Sequence, residues 1–186
     1  SKGARTISIV NVIASTIARE SDDVIYTMAG PEIAVATTKA FSAQLCVSYL
    51  LALKFAKAKG LLSESDEEKY CAEILRLPEL IEGILKTDSA LKELAKSYAD
   101  SENVFFIGRG LDYAISLEGS LKLKEISYIH SEAYAAGELK HGTISLIEDK
   151  TPVFAVATQS DLNEKTLGNI KEVKARGARV IALVGE

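Results

Sequence analysis

The fold is decided by residues 104–110, which read VFFIGRG. Four apolar residues form a short run typical of a buried parallel strand, and glycines end it. A helical pattern follows at once, so strand, tight turn and helix come in the order typical of α/β proteins. A glycine pair at such a turn can also bind phosphate groups. The sequence therefore leaves two interpretations of Gly108 and Gly110 open, a phosphate-binding turn or simply a tight one.

The same alternation of strands and helices extends outward from this stretch. Further strands are predicted at residues 6–12 (TISIVNV), 23–27 (DVIYT), 151–158 (TPVFAVAT) and 180–184 (VIALV). Helices are predicted at residues 15–20, 36–59, 65–86 with a kink or restart near Pro78, 89–98 and 162–175. This order predicts an α/β fold, a doubly wound parallel sheet flanked by helices.

Two segments of the chain share one plan. Residues 2–10 (KGARTISIV) and 175–184 (ARGARVIALV) both have a basic residue, then Gly-Ala-Arg, then an apolar strand. In both, the glycine suits the left-handed position that ends a preceding helix. We therefore expect a fragment of a tandem two-domain arrangement. Residues 1–60 would form the rear part of the first domain with its long helix, 61–100 a helical connector, and 101–186 the front part of the second.

Composition restricts the classes of function. An apolar content of 47% with 26% charged residues is typical of a globular protein with a core, and a net charge of −4 argues against nucleic-acid binding. The most apolar run, residues 45–55, is too short to span a bilayer and predicts a buried helix. Cys46 and Cys71 form no CxxC motif, which predicts reduced cysteines in a cytoplasmic protein. No metal site and no cofactor motif is visible.

Three charged residues fall on one face of the helix predicted after Gly110. Glu118, Lys122 and Glu125 are spaced i, i+4 and i+7, so their side chains form one stripe. Two carboxylates and an ammonium can bind a polyhydroxylated anionic substrate and move its protons. His141 follows on a glycine-flanked turn that could present its imidazole to a pocket. From spacing alone, an ordinary solvated Glu–Lys pair remains an alternative.

These residues resemble the glucosamine-6-phosphate synthase family. Residues 117–142 (LEGSLKLKEISYIHSEAYAAGELKHG) carry most of the resemblance, with further matches at 30–41 (GPEIAVATTKAF) and 106–110 (FIGRG). The isomerase part of that family has two sugar-isomerase (SIS) domains in tandem, in agreement with the repeat. The resemblance implies an SIS-type fold and conversion of fructose-6-phosphate, with ammonia from glutamine, to glucosamine-6-phosphate by proton transfer between C1 and C2.

The resemblance also implies a role for each matching residue. Glu125 is similar to the base that moves the proton between C1 and C2, and Lys122 to the lysine that contacts the nearby hydroxyls. His141 is similar to the residue that assists ring opening, which the neighbouring subunit supplies in this family, so a homodimer is implied. Val35 and Thr37 match positions that line the sugar site, where serine is usual in place of Thr37.

Three further positions are less determined by the resemblance. Glu118 fits the motif either as a substrate-binding residue or as a structural partner of Lys122. His130 lies among apolar neighbours, which predicts a histidine in the core. Thr143 replaces the usual proline after the His-Gly pair, which leaves the orientation of His141 less fixed.

Several parts of the family pattern are absent from these residues: the phosphate-binding loop, the Schiff-base lysine and the glutaminase domain. We therefore expect that the chain alone lacks synthase activity and binds fructose-6-phosphate poorly, and that a glutaminase domain belongs to the same full-length chain. No cofactor, nucleic acid or membrane partner is expected. Two alternatives remain: a stand-alone double-SIS sugar-phosphate deaminase or deglycase, and a non-catalytic SIS module that senses a sugar phosphate.

Overall fold

The structure, a computed structural model, describes residues 2–185. The chain divides into two compact units, residues 1–89 and residues 90–186, which we call unit 1 and unit 2. Each unit is described by itself below.

Unit 1 combines a short parallel strand pair with two long helices. Its elements are β1 (Ile7–Val10), α1 (Thr16–Glu20), β2 (Asp23–Tyr26), α2 (Lys39–Ala58) and α3 (Glu64–Leu85). Strands β1 and β2 pair in parallel. Helix α1 begins where predicted because the Ser15 side chain accepts a hydrogen bond from the backbone N–H of Ala18.

Both long helices of unit 1 differ from the prediction in detail. Helix α2 begins at Lys39, three residues later than predicted, and the Glu32 carboxylate accepts a hydrogen bond from the Ala40 N–H at 3.1 Å. This cap comes from a preceding non-helical segment, so local propensity did not indicate it. Helix α3 continues through Pro78, and the predicted restart there is wrong.

The apolar run at residues 45–55 is helical, but the prediction of a buried helix is wrong for the residues that the structure describes. Tyr49, Leu50 and Phe55 are each about half exposed, at 51%, 48% and 56%. No helix within residues 2–185 has both the length and the apolar character that a bilayer crossing requires. Cys46 and Cys71 are both half-buried free cysteines.

Unit 2 contains a four-stranded sheet in the order β4-β3-β5-β6, and all its strand pairs are parallel. Its elements are β3 (Asn103–Gly108), α5 (Leu111–Ser127), β4 (His130–Ala135), β5 (Pro152–Ala157), α6 (Asn163–Ala175) and β6 (Arg179–Val184). Helix α4 (Asp88–Lys96) precedes them, and two 3-10 helices, Leu139–His141 and Thr143–Leu146, follow β4. The predicted α/β fold with a doubly wound parallel sheet is confirmed. Strand β4 was not predicted.

One face of the unit 2 sheet forms the hydrophobic core. Phe105 and Ile107 of β3 pack with Val153 and Ala155 of β5, and each of the four side chains is at most 2% exposed. The same core buries Leu139, which lies in the segment after β4. The core therefore fixes the segment that carries His141.

The two glycines of the β3–α5 turn are required for different reasons, Gly108 for close approach of the helix and Gly110 for its backbone conformation. A Cβ atom at Gly108 would lie 2.5 Å from the backbone carbonyl carbon of Asp112, and Gly110 has a φ of +53°. These constraints support the interpretation of a tight turn. The repeated Gly-Ala-Arg segments also match in conformation, since Gly3 and Gly177 have φ values of +75° and +95° and each precedes a strand.

A buried carboxylate joins the start of α5 to the end of β5. Asp112, only 4% exposed, accepts hydrogen bonds from the Thr158 N–H at 2.9 Å and the Thr158 hydroxyl at 2.6 Å. Burial acts to raise the pKa of Asp112, but the hydrogen bonds from Thr158 and Gln159 outweigh it and hold the pKa below its usual value. The charged form of this side chain therefore stabilises the fold.

We expect Asp112→Asn to lower the free energy of unfolding at pH 7 by about 2 kcal/mol, because hydrogen bonds to a charged acceptor are lost. Since the pKa is lowered on folding, the contribution is complete above the unfolded pKa of about 3.9 and disappears as pH falls towards the folded value. Urea unfolding at pH 7 and at pH 3 tests this. The free energy of unfolding of Asp112→Asn should differ less from that of the wild type at pH 3 than at pH 7. Asp100→Asn, at an exposed position, is the control and should change the free energy of unfolding little at either pH.

Candidate active site

Helix α5 carries the charged stripe and turns its small residues towards the sheet. Ser116 and Ser120 are buried, and the Ser131 hydroxyl of β4 donates a hydrogen bond to the Ser120 hydroxyl at 2.9 Å. Gly119 lies against Phe106, whose ring carbon would be 3.1 Å from an added Cβ. These small side chains let α5 lie close to the sheet, which leaves the stripe on the partly exposed side.

The structure brings Glu118, Lys122 and Glu125 together. The Lys122 Nζ lies 2.5 Å from Glu125 Oε2 and 3.4 Å from Glu118 Oε1, and the three side chains are 19–26% exposed. The hydrogen bond to Glu125 contributes most to raising the pKa of Lys122, burial opposes it, and the charge of Glu118 adds to the increase. The arrangement is a half-buried cation held between two carboxylates, with the closer contact at i, i+3.

His141 is the last residue of the 3-10 helix Leu139–His141, and Gly142 follows with a φ of +149°. Its backbone N–H donates to the Glu138 carbonyl at 3.0 Å, while the residue itself is exposed. Within residues 2–185, no hydrogen bond or ion pair joins its imidazole to the stripe. Unit 2 therefore presents the imidazole at its surface.

The two residues predicted to line the sugar site lie in unit 1, in the non-helical segment before α2. Val35 is 84% exposed and Thr37 is half-buried. The segment is tied to the start of α2 by two contacts, the Glu32–Ala40 hydrogen bond and a 2.6 Å hydrogen bond from Lys39 Nζ to the Pro31 carbonyl. Both residues thus lie just before the long helix, whereas the predicted helix from residue 36 would have included Thr37.

The predicted burial of His130 is wrong. Its side chain is 56% exposed, its Nδ1 lies 2.8 Å from Asn103 Oδ1, and its Nε2 lies 3.4 Å from Glu132 Oε1. The residue is the first of β4, and it is the only exposed residue of that strand. Apolar neighbours in sequence therefore misled the prediction.

Sequence reasoning did not single out Arg109, which lies against Gly137, or Tyr134 of β4. The Tyr134 hydroxyl donates a short hydrogen bond to Glu132. This bond and burial raise the pKa of Tyr134, and hydrogen bonding with Thr143 acts in the opposite direction. A charged residue inside an otherwise apolar strand-to-helix turn was the available signal for Arg109. Within residues 2–185, no three His, Cys, Asp or Glu side chains are grouped so that they could hold a metal ion.

Unit 2 has a cavity of about 450 Å³, and the side chains of the charged stripe do not line it. It is lined by apolar side chains from α4, the sheet and the inner side of α5, among them Leu94, Val104, Leu123 and Phe154. The charged stripe instead lies on the partly exposed face of α5.

The sequence matches the SIS domain family over residues 1–54 and 97–186. It is 57% identical over 185 residues to glutamine–fructose-6-phosphate aminotransferase (isomerizing) of Clostridium tetani. The aligned residues make up 100% of this chain and 30% of that relative. The enzyme of the same name from Methanosarcina mazei is 53% identical over 178 residues, or 96% of this chain and 29% of the relative. The chain thus spans about 30% of the length of the curated relatives it matches.

Solved structures give the same result. The C-terminal domain of glucosamine-fructose-6-phosphate aminotransferase from Francisella tularensis superposes with a TM-score of 0.93 at 45% identity, covering 96% of this chain and 50% of that one. Glucosamine-6-phosphate deaminase from Thermotoga maritima superposes with a TM-score of 0.73 at 30% identity, covering 96% and 52%. With its parallel sheets and its match over most of its length, the chain belongs to the SIS domain family.

Proposed function

We propose that this chain is the isomerase part of a glutamine-dependent hexosamine-6-phosphate synthase, which forms glucosamine-6-phosphate from fructose-6-phosphate and ammonia. The observation that carries the proposal is the half-buried cluster in which Lys122 contacts Glu125 at 2.5 Å and Glu118 at 3.4 Å. The names of relatives at 57% and 53% identity support the substrate and the reaction.

Glu125 is the proposed base. In the imine formed from fructose-6-phosphate and ammonia, the proton on C1 lies next to the C2 imine carbon and is acidic for that reason. Glu125 removes this proton, the electron pair forms a C1–C2 double bond, and the C2–N double bond opens so that its electron pair moves to the nitrogen, which takes up a proton and becomes the amine. The proton on Glu125 then returns to C2, while the C1 hydroxyl releases its proton, which balances the one taken up by nitrogen, and C1 becomes the aldehyde. The product is the open-chain form of glucosamine-6-phosphate.

Lys122 is proposed to stabilise the charge that develops on the substrate oxygen at C1. Its raised pKa keeps the amine protonated, so it can donate hydrogen bonds throughout the reaction. Glu118, at 3.4 Å, orients the ammonium when substrate oxygens replace Glu125 as its partner. Glu118 would thus act mainly through Lys122.

The remaining site residues and partners belong to the same proposal. His141 assists ring opening and is supplied by the neighbouring subunit of a homodimer, to which its exposed position is suited. Val35 and Thr37 line the sugar site. A glutaminase domain elsewhere in the full-length chain supplies ammonia. The two free cysteines suit a reducing compartment, and we propose the cytoplasm.

The proposed domain limits are 1–60 for the rear part of the first SIS domain, 61–100 for the helical connector and 101–186 for the front part of the second. Two observations support a connector in the middle. The family match is interrupted at residues 55–96, and helices α3 and α4 occupy most of that interval.

The experiment is carried out on the full-length gene product that contains these residues. Deuterium exchange at C1 and C2 of the sugar phosphates is followed by NMR, and glutamine-dependent synthesis of glucosamine-6-phosphate is measured in parallel. The proposal requires both activities. Failure of the wild type to exchange either proton would overturn it and would favour the sugar-phosphate-sensing module.

A deaminase is the second candidate, because the Thermotoga maritima structure with that name is 30% identical over 96% of the chain. Such an enzyme would exchange the same protons and release ammonia from glucosamine-6-phosphate. It would not make glucosamine-6-phosphate from glutamine. The two measurements together therefore separate the candidates.

The isolated chain of residues 1–186 is expected to show no measurable synthesis from glutamine or ammonia and to bind fructose-6-phosphate weakly. The physical reason is that the proposed phosphate loop, Schiff-base lysine and ammonia source are not among its residues. Product formation is measured by the same NMR assay, with the full-length protein as the positive control. Turnover by the isolated chain close to that of the full-length protein would contradict this prediction.

A further inference from the structure

Gly137 lies directly against the guanidinium group of Arg109. A Cβ atom built on Gly137 would be 2.9 Å from Arg109 Nη2, 3.2 Å from Nη1 and 3.3 Å from Cζ. The φ angle of Gly137 does not lie in the left-handed region, so its backbone conformation alone does not require glycine. What a side chain would meet at this position is the head of Arg109.

Arg109 is held from both its side chain and its backbone. Its Nε donates to Asn169 Oδ1 at 3.0 Å, and the buried Asn169 in turn donates to Glu172 Oε2 at 2.9 Å. Its carbonyl accepts hydrogen bonds from Gln159 Nε2 at 2.7 Å and from the Asp112 N–H at 3.0 Å. These hydrogen bonds therefore hold the guanidinium in one position.

Gly137 opens the segment that carries His141. The Ala136 N–H donates to the Gly108 carbonyl at 2.8 Å, which ties the end of β4 to the end of β3 beside Arg109. Leu139, at 1% exposure, anchors the middle of the segment in the core. The position of His141, two residues later, thus depends on how closely Gly137 lies against the guanidinium.

We propose that Arg109 is a positioning residue for the ring-opening step, and that its guanidinium holds Gly137 and so sets the place of His141. The inference rests on the proposed function, because it concerns the imidazole assigned there. The segment is also held by Leu139 in the core, so a change at Arg109 displaces the turn without releasing it altogether.

The first test is a double-mutant cycle on the stability of the full-length protein. Gly137→Ala is expected to lower the melting temperature in the wild-type background, because the new methyl group meets the guanidinium. In an Arg109→Ala background the methyl group has room, so Gly137→Ala should lower the melting temperature much less. Equal losses in the two backgrounds would overturn the contact, and this readout does not require activity.

The second test separates positioning from a general structural role. Arg109→Ala is expected to lower kcat/KM for fructose-6-phosphate by about 10²-fold, the size of effect produced by a misplacement of about 1 Å. Arg109→Lys should restore little of the lost kcat/KM, since an ammonium cannot lie flat along Gly137. Arg76→Ala, on the exposed face of α3, serves as the matched control and should leave the rate unchanged.

The decisive substrate is 5-deoxyfructose-6-phosphate, which lacks the hydroxyl that closes the furanose ring and is always open. Arg109→Ala should exchange its C1 proton at nearly the wild-type rate, because ring opening is not needed. Equal losses on both substrates would overturn the positioning role. If the wild type itself exchanges no proton, the proposed function fails, and the double-mutant cycle still decides whether Arg109 holds Gly137.

Discussion

Replacement of Glu125 by glutamine is expected to lower the rate of C1–C2 proton exchange by about 10²–10⁴-fold, the usual contribution of a general base. Glutamine has nearly the same shape and can still accept a hydrogen bond from Lys122, but its amide cannot take up the C1 proton. The Lys122 ammonium keeps Glu118 as a charged neighbour at 3.4 Å, so the local structure should persist. The change therefore tests the chemistry and not the packing.

The measurement is deuterium incorporation into the sugar phosphate by the full-length protein, at saturating and at low substrate concentration. Loss of the base should appear in kcat, with a much smaller change in KM, because Lys122 and the other sugar contacts remain. A rate within about tenfold of the wild type would rule out Glu125 as the base, since the expected contribution is at least about 10²-fold.

Glu93→Gln is a matched control for Glu125→Gln. Glu93 also forms an i, i+3 pair with a lysine, with Lys96 Nζ at 2.6 Å from Glu93 Oε1. The Glu93 side chain is 72% exposed, whereas that of Glu125 is 26% exposed. The control removes the same kind of ion pair, and exposed pairs contribute little, so exchange and stability should both be close to wild type.

Strands β3 and β5 could be predicted because most of their residues form an unbroken apolar run. Strand β4 has the sequence HSEAYA, and its most buried residue is a serine, Ser131, at 0% exposure. That serine is satisfied by the hydroxyl of Ser120 on α5, a partner eleven residues away. A polar strand made possible by a hydrogen bond from another element leaves no apolar pattern to detect.

The site was predictable to the extent that it lies on one helix. The spacing of Glu118, Lys122 and Glu125 depends only on helical geometry, and the structure keeps them together. The contact between Arg109 and Gly137 joins residues 28 positions apart through the ends of two neighbouring strands. Local patterns cannot indicate such a contact, because it depends on the order of strands in the sheet.

Gly108→Ala is expected to lower the free energy of unfolding by about 3 kcal/mol, the upper part of the usual range for overpacking. An added Cβ would lie 2.5 Å, 2.6 Å and 2.7 Å from the Asp112 carbonyl carbon, its oxygen and the Tyr113 nitrogen. All three are backbone atoms of the first turn of α5, so no flexible side chain can move aside. Relief would require α5 to shift from β3, with loss of the Asp112–Thr158 hydrogen bonds.

Two other glycines make this prediction a graded series. Gly119→Ala would place a Cβ 3.1 Å from a Phe106 ring carbon, and a ring can shift slightly, so a loss of about 1 kcal/mol is expected. Gly168→Ala, in the interior of α6 with no atom within 4 Å, should instead stabilise the protein by about 0.5–1 kcal/mol, because alanine is favoured in a helix. Urea unfolding of the three variants measures their free energies of unfolding and so the order of their stabilities. Equal stability of Gly108→Ala and Gly119→Ala would mean that the β3–α5 turn yields to a side chain, and that close approach of the helix is not what glycine provides there.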